Sequence, residues 1–200
     1  MFKRIRRLIY LFLFLFLAFY GYQTYQNVKA VLSHRSMVRQ VLGNQDSEEV
    51  EDLVLAMIYT ESKGQATDLM QASESASGYI NTINDKKESV QQGVEYLKKN
   101  LILAKQAGVD QWTAIQAYNF GQGYIDYVAK HGGENTIAVA QQYSKEVLAP
   151  SLGNKSGKSY WNYHPIALIN GGKLYVDGGN IYYSRQVQFN LQLIKLFKGK

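Results

Sequence analysis

Glu61 interrupts the hydrophobic pattern of the segment that carries it. Apolar residues recur before it at helical spacing and predict one buried helix face; they are Val50, Leu53, Val54, Met57 and Ile58. Glu61 falls on this same face, because it lies eleven positions, about three turns, after Val50. Burial raises the pKa of a carboxyl group, and a carboxylic acid that stays protonated near neutral pH can act as a general acid. The alternative is a helix-end glutamate that points into water.

Three short motifs occur in a fixed order around this glutamate. Residues 56–64 read AMIYTESKG, residues 68–75 read DLMQASES, and residues 117–121 read AYNFG. The ordered set resembles the goose-type lysozyme and lytic transglycosylase superfamily, and within it the membrane-anchored lysozyme-like proteins of Gram-positive bacteria and the CwlT-type muramidases. The resemblance covers the chain from about residue 46 to its end. It implies a mainly helical, lysozyme-like domain that cleaves the β-1,4 bond between MurNAc and GlcNAc in peptidoglycan.

The resemblance also implies roles for individual residues. Cleavage of a glycosidic bond needs a proton on the leaving oxygen, and Glu61 is the expected general acid. The resemblance implies that Tyr118 and Asn119 line the cleft and bind saccharide; the alternative is a hydrogen-bonded helix terminus. Gln71 can orient a sugar hydroxyl or acetamido group, or satisfy loop backbone. Ser62 is either a second hydrogen-bonding group at the cleft or a plain helix-end residue.

Asp68 is the candidate for a second catalytic carboxylate, and Glu74 is a weaker one. The resemblance to CwlT-type muramidases includes a Glu followed by an Asp at this spacing of seven residues. An inverting hydrolase needs two carboxylates roughly 6.5–9.5 Å apart with water between them. Many superfamily members instead use one Glu and form a 1,6-anhydro product. Hydrolysis, transglycosylation and a non-catalytic wall-binding or scaffold role therefore all stay open.

Composition excludes several classes of site. The 200 residues are 46% hydrophobic, which suits one folded domain plus an appendage, and the 16 tyrosines suit carbohydrate binding. Cysteine is absent, so the chain has no disulfide, zinc thiolate or thiol nucleophile. The three histidines share no metal-ligand spacing, and no glycine pair fits a phosphate-binding loop. We therefore expect no metal and no cofactor.

The basic charge is concentrated at the N-terminus. Lys3, Arg4, Arg6 and Arg7 account for most of the net charge of +6, and removing these four of the 22 basic residues leaves 18 against 16 acidic ones. A nucleic-acid partner is therefore not expected. Residues 8–22 carry no charge, and we predict a basic cytoplasmic flank (1–7), a transmembrane anchor (8–25) and a domain outside the cytoplasm. A cleaved signal peptide is the alternative. The expected partners are peptidoglycan glycan strands and the membrane, and protein partners are unknown.

The remaining pattern predicts a stem (26–45) and a catalytic domain (46–200). Asp46 or Ser47 should cap the helix that carries Glu61, and residues 64–88 should form an ordered loop around the cleft. Two strands, 174–176 and 181–183, should form a hairpin around residues 177–180, which read DGGN. Further helices are predicted over about 90–108, from Asp110 to about 120, over 124–130, over 134–149 and around 187–194.

Overall fold

The computed structural model describes residues 2–43, 47–79 and 82–199, and this part of the chain is mainly helical, as predicted. The helices, in chain order, are α1 (Phe2–Leu32), α2 (Arg35–Leu42), α3 (Glu48–Ser62), α4 (Ser73–Ser77), α5 (Lys86–Gln106), α6 (Gln111–Phe120), α7 (Gly123–Lys130), α8 (Ile137–Tyr143), α9 (Ala149–Ser151), α10 (Pro165–Leu168) and α11 (Tyr183–Lys198). A π-helical turn (Ser144–Leu148) joins α8 to α9, and two short strands, β1 (Ser159–Trp161) and β2 (Lys173–Tyr175), flank α10.

Helix α3 is the central element and carries Glu61 at its C-terminal end. Ser47 caps it, because its side chain accepts a hydrogen bond from the backbone N–H of Val50, so the prediction of a cap at Ser47 is confirmed. Asp46, the alternative cap, lies outside the described residues. The helix ends at Lys63, whose φ of 55° is left-handed, and Gly64 follows with a φ of 74°. Seven of its 15 residues are buried, and α3 packs against α1, α2 and α11.

Two hydrophobic clusters form the core. The first surrounds α3, and it includes Val28 and Val31 of α1 and Val38 and Leu42 of α2. The second lies among α6, α7, α8 and β2. Because residues of the predicted stem are buried in the first cluster, the described part of this segment packs onto the domain.

Helix α1 combines an apolar N-terminal part with a C-terminal part that belongs to the core. Its length and composition suit a membrane span, and the side chains of residues 2–23 are exposed. Its last turns contact the end of α3: Asn27 Oδ1 accepts a hydrogen bond from Gln65 Nε2 at 3.0 Å. A Cβ at Gly64 would lie 2.8 Å from the backbone nitrogen of Val31, so only glycine allows this close approach.

A small two-stranded antiparallel sheet is present as predicted, but the predicted pairing of residues 174–176 with 181–183 is wrong. Strand β2 pairs antiparallel with β1, in the register Ser159–Tyr175, Tyr160–Leu174 and Trp161–Lys173. Residues 177–180 instead form a loop with left-handed Asp177 and Gly179, and this loop docks on the end of α6, where the Asn180 N–H donates to Asn119 Oδ1 at 2.7 Å. This tertiary contact prevents a two-stranded ladder, and Tyr183 begins α11 instead of ending a strand.

The other differences are at helix boundaries. The helix predicted over 134–149 begins later, at Ile137, because Thr136 caps it by accepting from the N–H of Val139. The predicted loop 64–88 contains the short helix α4. Asp110 caps α6 as predicted, accepting hydrogen bonds from the N–H groups of Trp112 and Thr113.

Candidate active site

Glu61 lies half-buried in the last turn of α3 and faces α11. Its Oε1 accepts a hydrogen bond of 2.6 Å from the Tyr183 hydroxyl. Burial raises the pKa of Glu61 to about 7; the Tyr183 hydrogen bond works against this rise, and the nearby charge of Asp68 adds to it. Glu61 is therefore partly protonated near neutral pH, as a general acid must be.

Tyr183 is a site residue that the sequence pattern did not reveal. It was assigned to a strand, yet it lies four positions before Val187 and so shares the inward face of α11. Its ring is parallel to that of Tyr118, with centroids 6.3 Å apart. The Tyr118 hydroxyl donates to the Met70 carbonyl at 2.9 Å. Burial raises the pKa of both phenols well above the usual value, so both stay protonated donors.

Asp68 is buried, and both of its oxygens are occupied. Oδ1 accepts from the Ala72 N–H at 2.9 Å and the Ser89 hydroxyl at 2.6 Å. Oδ2 accepts from the Ser73 N–H at 3.1 Å and the Ser73 hydroxyl at 2.6 Å. Burial alone would raise the pKa of Asp68, but these four hydrogen bonds outweigh burial and hold the pKa below its usual value. Asp68 is therefore an ionised carboxylate that ties the loop after α3 to α4 and α5.

Ser62 connects the end of α3 to the same loop. Its hydroxyl donates to the Leu69 carbonyl at 2.8 Å and accepts from the Gly64 N–H at 3.2 Å. It does not line the cavity that holds Glu61. The contacts of Ser62 are therefore with the backbone of the loop, and its direct contact with saccharide stays a prediction.

Gln71 and Asn119 present amide groups next to Glu61. Gln71 has a left-handed φ of 48°, which is unfavourable for a residue with a side chain, and its Nε2 donates to the Asp68 carbonyl at 3.0 Å. The Asn119 Oδ1 accepts from the Asn180 N–H, and this fixes the plane of an otherwise exposed amide. Amide groups held in this way can bind sugar hydroxyl and acetamido groups.

Five of the six predicted site residues line one cavity of about 200 Å³. It contains Glu61, Asp68, Gln71, Tyr118 and Asn119, together with Glu74, the weaker carboxylate candidate, and Ser73, which the sequence did not indicate. An adjoining cavity of about 360 Å³ shares its walls; the shared residues are Gln71, Glu74, Tyr118 and Asn119. We call the two cavities together the cleft. It runs from the carboxylates past Tyr96 to Leu148 and Leu152.

A larger cavity of about 590 Å³ lies elsewhere, along α11. Arg185 is the one ionisable group among the described residues that line it. This cavity has no carboxylate to deliver a proton, so its size does not make it the reactive centre. The cleft, by contrast, brings a carboxyl group of raised pKa and an ionised carboxylate together with hydroxyl and amide donors.

The comparisons with known proteins define the class. Residues 28–191 match the family described as Lysozyme-like. The chain is 56% identical over 197 residues to pneumococcal vaccine antigen A of Streptococcus pneumoniae, covering 98% of this chain and 97% of that protein. It is 58% identical over 185 residues to a pneumococcal vaccine antigen A homolog of Streptococcus pyogenes, covering 92% and 93%. The chain therefore belongs to the lysozyme-like family, and the predicted fold class is confirmed.

Two further relatives bear on activity and location. The chain is 41% identical over 105 residues to the bifunctional muramidase/DL-endopeptidase CwlT of Bacillus subtilis, covering 52% of this chain and 31% of that protein. A crystal structure from Staphylococcus aureus, described as similar to a lipoprotein of the NLP/P60 family, matches with a TM-score of 0.71 and 35% identity over 82% of this chain and 52% of that one. Together with the apolar α1, these relatives fit a membrane-associated protein that acts on peptidoglycan.

Proposed function

We propose that this protein is a muramidase that cleaves the β-1,4 bond between MurNAc and GlcNAc, with Glu61 as the general acid. The observation that carries the proposal is the position of Glu61, which is hydrogen-bonded by Tyr183 and lines a cleft of hydrogen-bonding groups; burial there raises its pKa to about 7. Membership of the lysozyme-like family and the muramidase named among the relatives support the same substrate class.

In the proposed mechanism, Glu61 gives its proton to the oxygen of the leaving sugar as the glycosidic bond breaks. Positive charge then develops on the remaining sugar ring, and the ionised Asp68 stabilises it through its charge. Glu61, now a carboxylate, accepts a proton from the attacking water, and the new sugar end is a reducing end. Gln71, Tyr118 and Asn119 hold the saccharide in the cleft.

Lytic transglycosylation is the second candidate function, and the hydrogen bonds of Asp68 favour it. A carboxylate has about four lone-pair sites, and four donors already occupy those of Asp68. An Asp68 in this state cannot also accept a proton from water. Because Asp68 then does not position a water molecule, the sugar's own 6-hydroxyl can compete with water as the acceptor; Glu61 removes the proton of that hydroxyl, and the product is the 1,6-anhydro sugar.

We further propose that α1 is a single membrane span with the domain outside the cytoplasm. Four basic residues precede its apolar part, and no charge occurs from Leu8 to Val28. Protease added to intact protoplasts should then remove the domain. Full protection of the domain would reject this topology.

Zymography on cell walls tests the catalytic proposal. The wild-type protein should clear a band, and Glu61→Gln should not. Glu95→Gln should clear like wild type, because Glu95 is an exposed carboxylate on α5 that does not line the cleft. Each variant is checked for folding by circular dichroism. A folded Glu61→Gln protein that clears normally would reject Glu61 as the acid. A folded wild type that binds cell walls without clearing them would indicate a non-catalytic binding module.

A further inference from the structure

We infer that the C-terminal end of α11 is a second membrane contact, in which Leu196 and Phe197 enter the outer surface of the lipid bilayer beside α1. The inference rests on the proposed topology of α1 and concerns how the domain is held. It would fix the domain at two points, and so fix the orientation of the cleft relative to the membrane.

The charges of α1 set the depth of the span. Arg7 and Lys29 are separated by 21 uncharged residues, 8–28. At 1.5 Å per residue these extend over about 31 Å, which is close to the ~30 Å hydrocarbon thickness of a bilayer. Lys29 therefore lies at the outer boundary of the hydrocarbon. Tyr25, one turn before Lys29, lies just inside this boundary, where tyrosine side chains are enriched in membrane proteins.

Phe197 lies at the depth of Tyr25. The two rings are in contact, with centroids 6.0 Å apart and an angle of 58° between their planes. A groove of about 330 Å³ lies beside this contact between α1 and the end of α11, and it is lined by Tyr25, Val28, Lys29, Leu32 and Phe197. If Tyr25 is at the bilayer surface, this groove and the end of α11 are there as well.

Leu196 gives this end of α11 an apolar surface. Its side chain is 61% exposed, and the neighbouring Lys195 is exposed too. A single exposed leucine is common on soluble proteins, so exposure alone would mean little. Leu196 is assigned to the bilayer because it neighbours Phe197, which lies at the depth of Tyr25. Lys198, in contrast, is engaged within the domain by Asp52 and Glu48 of α3, which holds the end of α11 in place.

The groove and the exposed leucine together fit a phospholipid of the outer leaflet. Acyl chain atoms can cover Leu196 and the apolar wall of the groove. Lys29 and Lys195 can extend their ammonium groups toward the headgroup phosphates, as lysines at membrane interfaces do.

Site-specific fluorescence tests the inference on the full-length chain. Because the protein has no cysteine, Leu196→Cys can carry a single environment-sensitive fluorophore. The labelled protein is reconstituted in phosphatidylcholine–phosphatidylglycerol liposomes, with or without nitroxide-labelled acyl chains, and iodide is the aqueous quencher. Leu152→Cys is the matched control, because Leu152 is 62% exposed and shares a cavity wall with Phe120 of the second hydrophobic cluster, which does not include α1. Phe14→Cys reports on the span itself.

We expect lipid nitroxide to quench the Leu196→Cys label several times more strongly than the Leu152→Cys label, and iodide to do the reverse. Equal iodide quenching at both positions, with the Phe14→Cys label quenched by lipid, would overturn the second contact and leave the anchor intact. Loss of lipid quenching at Phe14→Cys would reject the anchor and the second contact with it. Neither outcome bears on the catalytic proposal, which zymography tests separately.

Discussion

The Tyr183 hydroxyl donates a 2.6 Å hydrogen bond to Glu61 Oε1, although the two residues are 122 positions apart in the chain. The bond joins the first turn of α11 to the last turn of α3. A hydrogen bond to a carboxylate favours its charged form, so Tyr183 opposes the effect of burial on the pKa of Glu61. The acidity of Glu61 is thus a balance among its burial, its bond with Tyr183 and the charge of Asp68.

Tyr183→Phe should raise the pKa of Glu61, because it removes the hydrogen bond that stabilises the carboxylate. A hydrogen bond to a charged group contributes about 1.5–3 kcal/mol, so we expect the basic limb of the pH–activity profile to move up by about one unit or more. The measurement is the initial rate of cell-wall lysis from pH 5 to about 9. A lower rate of cell-wall lysis with no movement of the basic limb would mean that Tyr183 packs against the site without affecting the pKa of Glu61.

Asp68→Asn should move the basic limb of the pH–activity profile in the opposite direction, to lower pH. The charge of Asp68 raises the pKa of Glu61, so its removal lowers that pKa and shifts the limb to lower pH. Ser89→Ala is the matched control, because it removes one hydrogen bond to Asp68 but leaves the charge in place. The limb of Ser89→Ala should stay where it is. A shift of equal size in both variants would contradict the electrostatic role of Asp68.

Asp68→Asn should also destabilise the fold near neutral pH. An Asn amide cannot accept hydrogen bonds at its nitrogen, so two of the four donors to Asp68 lose their acceptor, at a cost of about 1–3 kcal/mol. Because the pKa of Asp68 is lowered in the folded state, its contribution is present above the unfolded pKa and is lost as pH falls through the folded pKa. Urea unfolding should therefore show that the free energies of unfolding of Asp68→Asn and wild type differ less at pH 3 than at pH 7. An equal difference at both would contradict this.

Glu61→Gln should lose activity yet gain stability at high pH. In wild type the folded state keeps the Glu61 proton between pH 4.5 and about 7, where the unfolded state releases it. Stability therefore falls as pH rises through this window, and the loss persists above it. Gln avoids this loss, so the gain should be near zero at pH 4.5 and at most about 3 kcal/mol at pH 8. A gain that does not change with pH would show that burial does not set the acidity of Glu61.

Gly93→Ala should disturb the cleft by displacing side chains that pack against Gly93. A Cβ at Gly93 would lie 2.8 Å from the Tyr118 hydroxyl and 2.6 Å from Met70 Sδ, so Tyr118 or Met70 must move. We expect a loss of about 1–3 kcal/mol in unfolding free energy together with reduced activity. Gly21→Ala is the control, because a Cβ at this helical glycine meets no atom within 4 Å. A Gly93→Ala protein as stable and active as the control would contradict the packing.

The sequence revealed those features that depend on local pattern. Glu61 stood out because it interrupts an apolar helix face, and Ser47 and Asp110 cap helices as such residues do. The predicted hairpin pairing was wrong because residues 177–180 indicate a turn but do not indicate which segment pairs with the strand before it. A contact with Asn119, more than fifty positions earlier, decides the path of that loop.

Tyr183 and the hydrogen bonds of Asp68 could not be predicted for the same reason. The Tyr183–Glu61 bond requires α11 to cross α3, and no local spacing encodes that crossing. The motif that contains Asp68 suggested a second carboxylate near the acid, and both do line one cavity. The four donors that occupy Asp68 come partly from Ser89 on α5, which carries no recognisable motif.

Mass spectrometry of muropeptides released in water labelled with heavy oxygen tests the central claim most directly. If Glu61 is the acid of a muramidase, wild type should release products ending in a reducing MurNAc that carries the heavy oxygen, and Glu61→Gln should release none. Products ending in 1,6-anhydro-MurNAc without the label would keep Glu61 as the acid but reassign the reaction to transglycosylation. Intact glycan strands after digestion with folded wild type, or equal release by Glu61→Gln, would contradict the claim that Glu61 cleaves the glycosidic bond.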